Sequence, residues 1–272
     1  MQANQGMSLG AKTGYMSKYS PQLLFPIQRD LKRKEILIET PLPFYGVDFW
    51  TAYEISWLDK LGKPNIAVGH FIFPCESKSL IESKSLKLYL NSFNQTVFES
   101  RSEVESIIRQ DLSLSVERAV EVDLLQIGYI KDETLSVMQG ICLDDIPIKV
   151  IKYDVFPECL STSNDVVTET LYSNLLKSNC LVTNQPDWGS VQIQYSGNKI
   201  DRENLLRYIV SFREHNEFHE QCVEKIFKDI MTHCAPSALS VYAKYTRRGG
   251  LDISPFRSTG RELPFHSRDV RQ

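Results

Sequence analysis

The chain has no C-x-x-C pair, no dense cysteine spacing, no G-x-G-x-x-G and no G-x-x-x-x-G-K-[ST]. Its six cysteines, at 75, 142, 159, 180, 222 and 234, are therefore read as scattered reduced thiols, with neither a disulfide framework nor a structural zinc site expected. The missing glycine motifs leave a Rossmann or P-loop nucleotide site without support. A net charge of -3 supplies no global field for nucleic acid or an anionic membrane, so no partner of either kind is expected. The first twenty residues carry no apolar core of a signal peptide, and no run approaches the roughly eighteen apolar residues of a membrane span. A cytoplasmic location is the default expectation.

Among what is present, the stretch Leu176 to Ser190 organises the reading. Cys180 opens a short apolar run, and Asn184 to Gly189 contain the Pro and Gly that reverse a chain between strands. A hairpin here returns Asp187 toward the strand that carries Cys180. A thiol attacks only as thiolate, so a neighbouring acid or base must take its proton, and Asp187 is the nearest group that can. The alternative is a buried structural cysteine, which on local sequence alone is the commoner case.

Residues 1–45 are polar and broken by prolines, and read as an N-terminal arm that wraps the body in extended form. Strand-like alternation at Trp50 to Asp59 and Ile66 to Phe73 precedes two stretches of helical spacing, Leu86, Tyr89, Leu90, Phe93 and then Val104, Ile107, Ile108, Leu112. Ala119 to Ile130 and Thr134 to Leu143 read as two further strands. The order then recurs at one offset: Leu86, Tyr89, Ser92 and Phe93 fall on Leu205, Tyr208, Ser211 and Phe212 (205 − 86 = 119), and Val104, Ile107 and Val122 on Val223, Ile226 and Val241. The fold class expected is α+β: a duplicated ββααββ unit, with antiparallel sheets and helices on one face. The divisions are an arm 1–45, a first unit 46–151, a connection 152–177, a second unit 178–256 and a tail 257–272. The two halves keep different polar residues, Glu82-Ser83-Lys84-Ser85 in the first and Glu214 to Glu220 in the second, which suggests one composite site.

Each motif has a plain reading beside its functional one. His215-x-x-x-His219 has the spacing of two metal-binding imidazoles on one helical turn, but no third ligand is evident and no metal is expected. His219-Glu220 fits a proton donor and a hydrogen-bonding carboxylate, or a solvated helix start. Glu82 to Ser85 is an anion site at a helix N-terminus, or simply an N-cap. Arg248-Gly249-Gly250 suits phosphate recognition, or a basic hairpin turn.

Taken together, Leu80 to Tyr89, Ser178 to Gly189, Phe212 to Glu220 and Arg248 to Ile253 resemble the long, two-module NADPH-dependent 7-cyano-7-deazaguanine reductases of queuosine biosynthesis. That family has the tunnelling fold, in which ββααββ units bind flat heterocycles. The resemblance implies a four-electron reduction of a nitrile to the aminomethyl compound through a covalent thioimide on Cys180, with Asp187 as proton carrier and His219 as proton donor. It also implies base binding by Ile81, Glu82, Ser83, His219 and Glu220, with Phe218 closing over the base. NADPH would be a co-substrate, two per turnover, held by Ser83, Lys84, Arg248 and Gly249. A homodimer is expected. The same nitrile could instead be hydrolysed by a thiol enzyme, and a non-catalytic base-binding module is the other reading.

Overall fold

In a computed structural model the described residues are 15–127 and 135–272. The chain divides into two compact units: Met1–Lys32 with Asp48–Glu133 and Arg247–Ile253, and Arg33–Val47 with Thr134–Thr246 and Ser254–Gln272. The architecture is α+β with few helices and mixed sheet pairing. No helix among the described residues is long and apolar enough to cross a membrane.

The first unit begins with β1 (Pro26–Gln28) and the start of α1 (Arg29–Glu35). Its sheet holds β2 (Tyr45–Leu58, from Asp48 on) and β3 (Pro64–Pro74). β4 (Ser79–Ile81) pairs antiparallel with β1, placing Ile81 opposite Pro26. α2 (Ser83–Asn91) and α3 (Arg101–Val116) follow, and β5 (Glu121–Leu125) runs antiparallel beside β3. β3 alternates as a half-buried strand must, with Ala67, Phe71 and Phe73 buried. The same core takes Leu86, Tyr89 and Leu90 from one stripe of α2, Phe93 just beyond its C-cap, and Val104, Ile108 and Leu112 from α3.

The second unit is built on a long antiparallel hairpin, β7 (Thr162–Asn179) with β8 (Pro186–Ile200). α4 (Arg202–Ser211) and α5 (His219–Cys234) follow. β9 (Ala238–Tyr245) lies antiparallel on β8, and β10 (Leu251–Ser258) on β9. Positions matched at the offset of 119 make the same contacts. Ser92 and Ser211 each donate to the carbonyl of the tyrosine three residues earlier, Tyr89 and Tyr208, at 2.6 Å. Those tyrosines meet Phe93 and Phe212 edge to face at 5.2 Å.

Four expectations need correction. Among the described residues the first unit's helices are followed in the chain by the strand β5, and residues 128–130 of the stretch expected to form it lie outside the described residues. Of the stretch expected to give another strand, residue 134 lies outside the described residues, and Ile141–Cys142 (β6) instead runs parallel to β7 in the second unit. Second, much of the presumed connection 152–177 is strand, because β7 starts at Thr162. Its first half is exposed or half-buried, so β-branched residues such as Thr162, Val166, Val167 and Thr168 sit among polar ones without a buried hydrophobic face to give the strand away. The arm, thirdly, is not extended throughout: α1 carries two buried arginines, Arg29 and Arg33. Last, the hairpin reverses at residues 181–183, and Pro186 already begins β8.

The arginines of the second unit form a buried charge cluster. Arg33 meets Glu224 of α5 through two hydrogen bonds of 2.8 and 2.6 Å. Arg257 of β10 donates to the same carboxylate from Nη2 at 2.8 Å and from Nε at 3.1 Å, and its Nη1 donates to the carbonyls of Val47 and Phe256. Such a cluster holds only while complete, because a desolvated charge without its partner is costly. Glu224→Ala is expected to lose about 3 kcal/mol of stability, read as a lowered denaturant midpoint; an unchanged midpoint would show that the cluster contributes nothing.

Candidate active site

Cys180 follows the last residue of β7 and closes a tight loop, its amide donating to the Gln185 carbonyl at 2.8 Å and its carbonyl accepting from Asn184 at 3.0 Å. Asn184 adopts φ 57°, a left-handed conformation that Asn tolerates. The chain between α4 and α5 is stitched to this loop: Asn179 donates to the His215 carbonyl at 2.8 Å, and Glu217 donates to the Asn179 carbonyl at 3.1 Å. Asn216 adds a side-chain bond of 2.9 Å to Asn184. These contacts fix where α5 starts. Phe218 is its N-cap and His219 its first residue. His215 lies before the helix in an extended conformation, so the two histidines do not share a helical turn and the metal spacing has no geometric basis.

Asp187 sits on β8 opposite Ser178 of β7 and is 3% exposed. Its Oδ2 lies 3.5 Å from Nε2 of His219, whose ring packs on Tyr245 with centroids 4.0 Å apart. Glu220, next on α5, is buried. Cys180, Asp187, Phe218, His219 and Glu220 are thus all placed in the second unit around one hairpin end and one helix start. At the rim, Lys177 donates to Asn179 and to the Arg213 carbonyl, each at 2.6 Å. Burial and the nearby Arg213 hold its ammonium below the ordinary lysine range, while Glu214 and Asp187 oppose the shift.

Burial separates the thiols. Burial pushes Cys222 up to about 12 and Cys234 up to about 11, and it raises Cys159 as well. A buried thiol with so high a pKa presents almost no thiolate at neutral pH. Cys180 is only partly buried.

The other predicted residues lie in the first unit. Ile81 ends β4, and Glu82 caps α2 with both carboxylate oxygens, accepting from Lys84 at 2.9 Å and from Ser85 at 2.7 Å. Burial raises the Glu82 carboxyl, and these two amides pull it back down. The plain reading as an N-cap is therefore correct for Glu82, whatever else it does; each oxygen keeps a second lone pair for a ligand. Ser83 is exposed and Lys84 half-buried at the start of the same helix. Arg248 and Leu251 exchange hydrogen bonds of 2.9 and 3.1 Å across Gly249 and Gly250, at φ 59° and 79°. Two successive positive φ values are what a type I′ turn requires, hence the glycine pair.

Sequence reasoning missed the support of that turn. The Tyr53 hydroxyl donates to Asp252 at 2.5 Å, and the Arg247 guanidinium lies 4.2 Å from the centre of the Tyr53 ring. Burial raises the Asp252 carboxyl, with Tyr53 and Thr51 opposing. Alternation along β2 could have placed Thr51 and Tyr53 on one face, but no local signal pairs them with a residue 199 positions away.

Comparison with known proteins gives two family matches. Residues 15–124 match the family described as nitrile reductase, 7-cyano-7-deazaguanine-reductase N-term, and residues 186–263 match that described as QueF-like protein. A protein of Delftia acidovorans named NADPH-dependent 7-cyano-7-deazaguanine reductase is 50% identical over 282 residues, covering 100% of both chains. One of Azoarcus sp. with the same name is 52% identical over 255 residues, covering 93% of this chain and 91% of that one. A solved structure, the apo form of an archaeosine synthase QueF-Like, aligns with 38% of this chain and 99% of its own at 16% identity and a TM-score of 0.31, a likeness too low to bear on the fold.

Proposed function

The chain belongs to the family of nitrile reductases represented by the NADPH-dependent 7-cyano-7-deazaguanine reductases, and from that premise we propose how its residues carry out such a reduction. The substrate is 7-cyano-7-deazaguanine and the product the 7-aminomethyl compound, on the route to queuosine. The Cys180 thiolate adds to the nitrile carbon, while Asp187 takes the thiol proton and delivers it to nitrogen, leaving a covalent thioimide. NADPH, as co-substrate, supplies a hydride at each of two steps. After the first, the carbon–sulfur bond breaks, Cys180 leaves as thiolate and an imine remains; the second yields the amine. Two hydrides and two protons balance the four-electron change. His219 passes a proton to the nitrogen, Glu82 and Glu220 accept hydrogen bonds from the deazaguanine with Ile81 and Ser83 beside them, and Phe218 shields the base from water. Ser83, Lys84, Arg248 and Gly249 hold NADPH.

The observation that carries this reading is the pair of a buried Asp187 and a half-buried His219, 3.5 Å apart at the hairpin end that bears a partly exposed cysteine. The order β7, β8, α4, α5, β9, β10 and the contacts shared at offset 119 favour tandem tunnelling-fold units. A homodimer belongs to the same reading, since open sheet edges invite pairing with a second copy.

The test is NADPH oxidation that depends on the nitrile, at two NADPH per nitrile. Nitrile loss without NADPH oxidation would indicate hydrolysis, and binding without either would leave a base-binding module. Within the same assay Lys84→Ala and Arg248→Ala are expected to trap the nitrile on Cys180 as before, because addition precedes hydride transfer. Each loses a charge-assisted contact of about 1.5 to 3 kcal/mol, which raises the KM for NADPH roughly tenfold to a hundredfold. Variants that lose the adduct and keep their NADPH affinity would move these residues to the base pocket.

A further inference from the structure

Tyr245 ends β9, is 1% exposed, and lies wholly within the second unit. Its ring meets the His219 imidazole at a centroid distance of 4.0 Å and a tilt of 45°. On β8, directly opposite in register, stands Gly189, where an added Cβ would lie 3.2 and 3.3 Å from Cδ1 and Cε1 of the tyrosine ring. The absence of a side chain at 189 is what lets the ring lie over β8 and reach the imidazole. The hydroxyl points elsewhere: it is buried beside the Ser178 hydroxyl and the Cys222 thiol. The contact with His219 is made by the ring.

His219 needs such a contact. As the first residue of α5 it has no preceding helical turn to restrict its rotamer, and Asp187 touches only the edge of the ring at Nε2. An edge contact fixes where Nε2 points but leaves the imidazole plane to rotate about that line. A second contact on the face removes that freedom.

We propose that Tyr245 is a positioning residue whose ring, seated over Gly189, fixes the plane of the His219 imidazole and so holds Nε2 toward Asp187. The role given to His219 rests on the function proposed above, but its geometry does not, and the two can be tested apart.

The variants are Tyr245→Phe, Tyr245→Met and Gly189→Ala. Tyr245→Phe keeps the ring and is expected to leave kcat within about threefold of the parent, since the ring and not the hydroxyl makes the contact with His219. Tyr245→Met keeps the bulk and loses the aromatic face, so kcat for nitrile reduction falls on the order of tenfold while KM for the nitrile stays within about threefold. Gly189→Ala displaces the ring by a few tenths of an ångström and shifts kcat in the same direction by less. Nitrogen NMR of the His219 imidazole gives the readout that a merely structural role would not move. The tautomer and hydrogen-bond shifts are expected to be unchanged in Tyr245→Phe and averaged in Tyr245→Met, under conditions where circular dichroism shows both folded. Imidazole spectra identical in parent and Tyr245→Met would overturn the proposal, and if Tyr245→Met fails to fold, an unaltered imidazole in Gly189→Ala does so. A parent enzyme that reduces no nitrile, yet shows the spectral change, would remove the function and leave the positioning in place.

Discussion

Cys180→Ala is expected to abolish both the covalent adduct, followed as a mass increase after incubation with the nitrile, and all nitrile-dependent NADPH oxidation. No other group can replace the lost sulfur, because the thioimide is what makes the carbon a hydride acceptor. The matching expectation concerns three of the other thiols. Cys159→Ala and Cys234→Ala, with raised thiols, and Cys75→Ala, fully buried, should keep the adduct and most of the activity. The buried pair should cost stability instead, about 1 kcal/mol each for a small cavity. Turnover at the parent rate in Cys180→Ala would end the covalent mechanism.

What the sequence revealed and what it hid follow from how far each signal reaches along the chain. Local periodicity was enough for α2 and α3, where Leu86, Tyr89, Leu90 and Phe93 all proved buried. It was enough, too, to see one offset carried through two helices and a strand. It failed where burial and polarity part company. The first half of β7 is a strand with almost no buried face, and α1 hides two arginines whose partners, Asp48 and Glu224, are 19 and 191 residues away. That Cys180 and Asp187 lie at the same hairpin end was legible because a hairpin is local. The partners of His219 were only half legible: Asp187 was already a candidate, but Tyr245 reaches it through strand order, β9 on β8, which no short motif encodes. The histidine spacing, set aside in the sequence for want of a third ligand, presupposes a helix that begins four residues before α5 does.

Asp187→Asn is the second large effect expected. The substitution is nearly isosteric and leaves a buried polar group in place, so the fold should survive; it removes the charge and the ability to accept the thiol proton. General acid–base catalysis by one positioned group is worth about 10²–10⁴ in rate, and kcat is expected to fall by that factor while the Kd for the deazaguanine, measured by calorimetry, changes little. Because the proton is taken during addition, rapid-mixing absorbance should show the adduct itself forming more slowly in the same proportion. Raising the pH deprotonates a thiol without a base's help, so the variant's adduct rate should rise toward the parent's under alkaline conditions, and the gap between them should narrow. A merely structural aspartate would give the opposite pattern, a lowered Tm with the pH dependence of adduct formation unaltered. Should Asp187→Asn form adduct at the parent rate across the whole pH range, the proton goes elsewhere, and His219, 3.5 Å from the same carboxylate, becomes the group to replace next.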